Sequence, residues 1–161
     1  MSERGVILIV DDEVGPRESL RMILKPLYDI HTAGSGEEAI KFIQNNRVDL
    51  ITLDLKMPGL SGLQVLREIK RISNDIEIVI ITGFGTLPNA KEAIRYGAGD
   101  FISKPFNVAD IISVISKSFE RRAYNLKIRT LIKQIKDLRA IEQSEQTNFL
   151  SDENLGTTQV G

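Results

Sequence analysis

Apolar positions follow two alternating rhythms up to about residue 120. Short β-rich runs, VILIV (6–10), YDIHTA (28–33), VDLITLDL (48–55), IEIVIITG (76–83) and DFISK (100–104), predict five strands. Between them ESLRMILKPL, EEAIKFIQNN, LQVLREIKRI and NAKEAIRYGA carry apolar residues at helical spacing, as in Leu63, Leu66 and Ile69. Start signals agree: Pro16 suits the first turn of a helix, and Ser35 followed by Glu38 has the spacing of a capping box. The first, third and fourth strands are apolar throughout instead of alternating, the mark of central parallel strands covered on both faces. Five βα units predict an α/β fold: a doubly wound, parallel, five-stranded sheet with right-handed crossovers and helices on both faces.

From Val108 the rhythm changes. A last helix begins after Lys-Pro-Phe-Asn and meets no Pro or Gly until Gly156. Ile112, Ile115 and Phe119 are expected on the sheet. Tyr124, Ile128, Leu131, Ile135 and Leu138 then continue at 4, 3, 4, 3 spacing, a seam of little more than two heptads, shorter than a firm coiled coil needs. The plain alternative is an amphipathic helix end. Residues 144–161, SEQTNFLSDENLGTTQVG, are polar and aperiodic and read as a flexible tail or linker.

Composition narrows the chemistry. The 161 residues suit one domain with an appendage, and 42% hydrophobic residues suffice for a core. A net charge of -1 leaves no global field for nucleic acid; from Phe119 to Glu142 seven basic residues outnumber three acids, expected as a solvated helix face. With no cysteine and one histidine, His31, thiolate and zinc sites are excluded or improbable, so any metal should be a hard, oxygen-liking ion. No run approaches the roughly 18 apolar residues of a membrane span, and the N-terminus is unlike a signal peptide, so a cytoplasmic protein is expected.

In an open parallel sheet the ligand site lies beyond the carboxyl ends of the strands. Asp11, Asp12 and Glu13 follow the first strand, Asp54 ends the third, Thr82 and Gly83 the fourth, and Lys104 the fifth. Clustered carboxylates repel unless a cation joins them, and oxygen-only donors select Mg²⁺ or Mn²⁺. A carboxylate in such a place can attack phosphorus, with Lys104 and Thr82 steadying the phosphoryl oxygens.

The ordered set VILIVDDE, LDLKMPGLSG, IVIITGFGT and GAGDFISKPF resembles the CheY-like receiver domain of two-component response regulators. The resemblance covers residues 4–122, leaving 123–143 as a helical extension or linker and 144–161 as the tail. It implies a flavodoxin-like strand order 2-1-3-4-5 and Asp54 as phosphoacceptor. Asp11, Asp12 and the backbone carbonyl of Lys56 would join Asp54 around Mg²⁺. Thr82 becomes the switch hydroxyl, Lys104 the phosphate-binding lysine and Phe101 the aromatic switch, here without the tyrosine hydroxyl common in the family; a cis Lys104–Pro105 bond is implied as well. Partners implied are a sensor histidine kinase and a second copy, met through the helix 4, strand 5 and helix 5 surface or through the extension. ITGFGTLPNAKEAIRYGAGDFISKPF looks most like receivers of NtrC-type, ATPase-containing transcriptional activators, whose effector would lie outside this chain. Direct nucleic-acid binding is not expected, nor is catalysis beyond self-phosphorylation and autodephosphorylation. Dephosphorylation rate is not legible; Gly15-Pro16, Lys56 and Phe84 border the site.

Two rivals are distinguishable. An aspartyl-phosphate phosphatase acting on an outside substrate would want a second aspartate two residues after Asp54, where Lys56 stands. A flavin module would be disfavoured by the acidic lining, and GFG at 83–85 lacks the full G-x-G-x-x-G of a dinucleotide loop.

Overall fold

A computed structural model describes residues 3–156. Strands β1 (Val6–Val10), β2 (Asp29–Ala33), β3 (Leu50–Leu53), β4 (Glu77–Thr82) and β5 (Asp100–Ser103) alternate with α1 (Val14–Leu24), α2 (Gly36–Asn45), α3 (Gly62–Ile72), α4 (Leu87–Arg95) and α5 (Val108–Gly156). The sheet has the order β2-β1-β3-β4-β5, every pair parallel, with Val10 beside Leu53 and Ile80 beside Phe101. This is the CheY-like, flavodoxin-type fold expected from the apolar runs. Contacts divide the chain into two units that meet between Arg122 and Ala123.

Within the first unit the pleat sends successive side chains to opposite faces. Leu8, Val10, Ile51, Leu53, Ile78 and Ile80 pack with Ala39, Ile43, Val65, Leu66, Ile69 and Ala93 from α2, α3 and α4. Ile7, Ile9, Leu50, Val79 and Ile81 pack with Leu20 and Leu24 of α1 and with Ile111 and Ile115 of α5. Ile115 is buried and Phe119 packs on this face as expected, but the first contact differs by one residue: Ile111 is fully buried and Ile112 is exposed. Two adjacent isoleucines leave the phase open in sequence. Ser118 belongs to the buried face because its hydroxyl donates to the Val114 carbonyl, which satisfies it without water.

Caps also depart from the expected form. Ser35 accepts from the Glu38 amide at 3.1 Å, but the Glu38 carboxylate accepts from Gly34 N instead of closing a box. The complete capping box is Ser61–Gln64 at the start of α3.

The basic stretch of the last helix is not a solvated face throughout. Arg121 donates to Glu77 at 2.9 Å, and Arg122 pairs with Asp49 at 3.2 Å and donates to the Asp75 carbonyl at 3.0 Å. Asp49 is 2% exposed and also accepts from Val6 N and Arg47, which itself pairs with Glu3. His31 lies on β2, in register with Leu8, and packs against the Phe42 ring.

In the second unit the helix runs on to Gly156, so residues 144–156, expected in a flexible tail, are helical. The segment lacks Pro and Gly before position 156 and includes Glu145, Gln146, Leu150 and Glu153, good helix formers whose propensity does not depend on apolar periodicity. Thr147 and Ser151 return their hydroxyls to the carbonyls four residues earlier. The rest of the expected tail, 157–161, lies outside the described residues.

Candidate functional site

The carboxyl ends of β1, β3, β4 and β5 converge on one acidic pocket. Asp54 follows β3 directly, and its amide donates to the Val10 carbonyl of β1 at 3.1 Å, so the strand pairing fixes its backbone. Its side chain is 4% exposed. Oδ1 accepts from Thr82 Oγ1 at 2.6 Å and from the Lys56 amide at 3.1 Å; Oδ2 accepts from Lys104 Nζ at 2.9 Å. Three donors thus answer the desolvation of a buried carboxylate.

Lys104 reaches a second acid: Nζ donates to Asp11 Oδ2 at 2.7 Å. Burial works against the ammonium charge, but its hydrogen bonds to Asp11 and Asp54 and the attraction of their charges outweigh it and raise the lysine pKa above its ordinary value. The lysine is placed by β5 and by its own amide, which donates to the Thr82 carbonyl, and Lys104–Pro105 is cis. Thr82 is fully buried; its hydroxyl accepts from Phe84 N at 3.1 Å while donating to Asp54.

Asp11, Asp12, Glu13 and Asp54 each bring a carboxylate oxygen within 4.8 Å of the others, a set able to hold a metal ion. One lysine does not balance four acids, and an all-oxygen donor set suits a hard divalent cation such as Mg²⁺. Glu13 was not among the expected ligands. Its amide caps Asp11 Oδ1 at 2.9 Å, and its position directly after Asp11-Asp12 was the available signal. Arg17, also unforeseen, donates to the Asp11 backbone carbonyl at 2.8 Å and steadies the end of β1.

Around the mouth, Lys56 and Phe84 are exposed, and the Lys56 ammonium lies over the Phe84 ring, 5.5 Å from its centroid. Phe101 is half-buried against the α2–α4 side of the core, next to Gly85; a Cβ on Gly85 would stand 3.2 Å from the ring. A groove of about 410 Å³ beside Lys104 is lined by Pro16, Ser19, Pro105 and Phe106. Asp11, Asp12, Asp54, Thr82 and Lys104 are therefore brought together as expected, while Phe101 sits two residues down β5 from Ser103, the partner of Thr82.

Comparison with known proteins agrees with this geometry. The response regulator receiver domain profile matches residues 7–116. The chain is 39% identical over 120 residues to the regulatory protein LuxO of Vibrio cholerae, covering 74% of this chain and 26% of LuxO. It is 35% identical over 112 residues to sporulation initiation phosphotransferase F of Bacillus subtilis, covering 69% of this chain and 90% of that protein. Among solved structures, NtrX from Brucella abortus aligns with a TM-score of 0.76 at 34% identity, over 80% of this chain and 30% of that one. The match to LuxO thus spans about a quarter of that relative's length.

Proposed function

Since the chain belongs to the response regulator receiver domain family of two-component systems, related to the receivers of NtrC-type activators, we propose that Asp54 accepts a phosphoryl group from a sensor histidine kinase in the cytoplasm. The observation that carries the reading is the Asp54 carboxylate held at once by Thr82, Lys56 N and Lys104 beside an acidic metal pocket. A carboxylate oxygen of Asp54 attacks phosphorus, the bond from phosphorus to the donor's histidine nitrogen breaks, and that nitrogen leaves with the electron pair. Lys104 and Thr82 are already within hydrogen-bond reach of the nucleophile, so they need move little to meet the phosphoryl oxygens. Asp11, Asp12 and Asp54, with the Lys56 carbonyl, would hold Mg²⁺ or Mn²⁺. Bound there, the ion would offset negative charge on the reacting oxygens. The relative named as a phosphotransferase, matched over most of its length, supports the same chemistry.

Thr82 is the proposed sensor: when it turns to the phosphoryl group it gives up its bond to Asp54, and the Phe101 ring, which lies beside Gly85, turns in response. The surface altered is that of α4, β5 and α5, where Leu87, Ile94 and Val108 are exposed. Output through a second copy is supported by the extension, where exposed Ile128 and Ile135 take a positions and Leu131 and Leu138 take d positions, the arrangement that favours two parallel strands. An effector, transcriptional by analogy with the NtrC-type relatives, would be what the assembly controls. The chain is not proposed to turn over outside substrates: Lys56 occupies the place where an aspartyl-phosphate phosphatase would want its second aspartate.

The test is phosphoryl uptake from acetyl phosphate with Mg²⁺. Labelling of the parent and none of Asp54→Asn is expected; undiminished labelling of that variant rules the assignment out. Light-scattering mass with and without beryllofluoride, a stand-in for the phosphoryl group, tests output: a rise to a dimer is expected, and an unchanged mass removes dimerisation as the readout.

A further inference from the structure

Gly62 is the first residue of α3, where nothing in helix propensity favours glycine over alanine, so its presence needs a reason. Its backbone does not supply that reason, because among the described residues only Gly59 and Gly97 have positive φ. Space does. A Cβ on Gly62 would lie 2.3 Å from the Asp54 carbonyl oxygen and 2.4 Å from Leu55 Cα, both backbone atoms that cannot rotate away.

We infer that Gly62 is a positioning residue for phosphoryl transfer: its missing side chain lets the first turn of α3 lie against the Asp54–Leu55 peptide and so sets where the Asp54 carboxylate stands. The inference rests on Asp54 being the phosphoacceptor. The contact is fixed from both sides. Gly62 N donates to the Leu55 carbonyl at 2.9 Å, and the Ser61–Gln64 capping box holds the turn that carries Gly62. On the other side the Asp54 amide is bound to Val10 of β1. The Asp54 peptide is thus gripped between β1 and α3, while its carboxylate is gripped by Thr82 and Lys104 from β4 and β5. Lys56, whose amide meets Asp54 Oδ1 and whose carbonyl would face the metal, is the next residue but one and moves with the same peptide.

Any side chain at position 62 must push the nearest atoms from 2.3 Å to 3.0 Å or beyond. A misplacement on the order of 1 Å in a reacting group can cost on the order of 10²-fold in rate. The loss should fall on the maximal rate, since the donor's other contacts are untouched.

The experiment measures phosphorylation by acetyl phosphate at saturating Mg²⁺, resolving maximal rate from half-saturating donor concentration. It compares the parent, Gly62→Ala and Gly36→Ala at a temperature where thermal melts show all three folded. Gly36 is the control: its Cβ would meet Val65 Cγ2 at 2.3 Å and Leu60 Cβ at 3.3 Å, side-chain atoms of the same loop and helix, and not the Asp54–Leu55 peptide. The expected result is a maximal rate about tenfold or more lower for Gly62→Ala, and within about twofold of the parent for Gly36→Ala. Equal losses in both variants, or a Gly62→Ala rate matching the parent, overturn the inference while leaving Asp54 as acceptor. A parent that takes no phosphoryl group overturns both. Should Gly62→Ala fail to fold, Ser61→Ala decides, because it loosens the same turn without adding an atom: a rate about threefold lower is expected, and an unchanged rate overturns the role.

Discussion

Replacing Lys104 by methionine removes one charge from a site that was built around it. The side chains concerned are almost closed to solvent, at 15% for Lys104, 3% for Asp11 and 4% for Asp54, with Nζ 2.7 and 2.9 Å from the two carboxylates. Taking one partner from a buried ion pair costs about 3–5 kcal/mol, because the other charge is left uncompensated. Here Asp54 keeps Thr82 and Lys56 N, and Asp11 keeps Glu13 N, so the loss should sit near the lower end, about 3 kcal/mol at pH 7 in a chelator. The pH dependence has a definite sign. The folded-state pKa of Lys104 is raised, so its contribution is complete below the ordinary lysine value of about 10.4 and is lost as pH climbs through the higher folded value. Urea melts of both proteins at about pH 7 and above the ordinary lysine value of about 10.4 read the difference directly. A loss below about 1 kcal/mol at about pH 7, the scale of an exposed pair, or one that does not shrink in alkali, refutes the reasoning.

Other outcomes follow from the same contacts. Thr52 Oγ1 is buried on the Leu50 face of β3 with no hydrogen-bond partner among the described residues, so Thr52→Val should raise stability by about 1 kcal/mol in urea; a loss would mean that the hydroxyl is satisfied. Arg122→Ala leaves buried Asp49 with Arg47 and Val6 N alone and should cost about 2 kcal/mol, and a double-mutant cycle with Asp49→Asn should show that most of it is shared; additive losses would contradict the pairing. Leu131→Asp puts a charge at a d position and should keep the beryllofluoride form monomeric by light scattering, whereas a persistent dimer would shift assembly to the α4, β5 and α5 surface.

The apolar runs made the sheet legible because central parallel strands must be hydrophobic on both faces, and the chemistry followed because strand ends in such a sheet point to one edge. Asp11, Asp54, Thr82 and Lys104 could be placed together on that rule alone. What escaped was settled by contacts between distant segments. Arg121 and Arg122 look like any other cations on an amphipathic helix, and only the approach of Glu77 and Asp49 to α5 gives them partners. The phase of α5 turned on Ile111 against Ile112, a choice that apolarity cannot make. Residues 144–156 are helical because propensity persists where amphipathic periodicity fades. Gly62 is an ordinary residue in sequence and acquires meaning only when α3 is laid against Asp54.

The central claim, that Asp54 is where the phosphoryl group goes, is tested most directly by trapping. After acetyl phosphate and Mg²⁺, borohydride reduces an aspartyl phosphate to homoserine, which peptide mass spectrometry locates. Conversion at position 54 and at no other carboxylate is the expected result; conversion elsewhere, or none in a folded and Mg²⁺-loaded protein, would contradict the account.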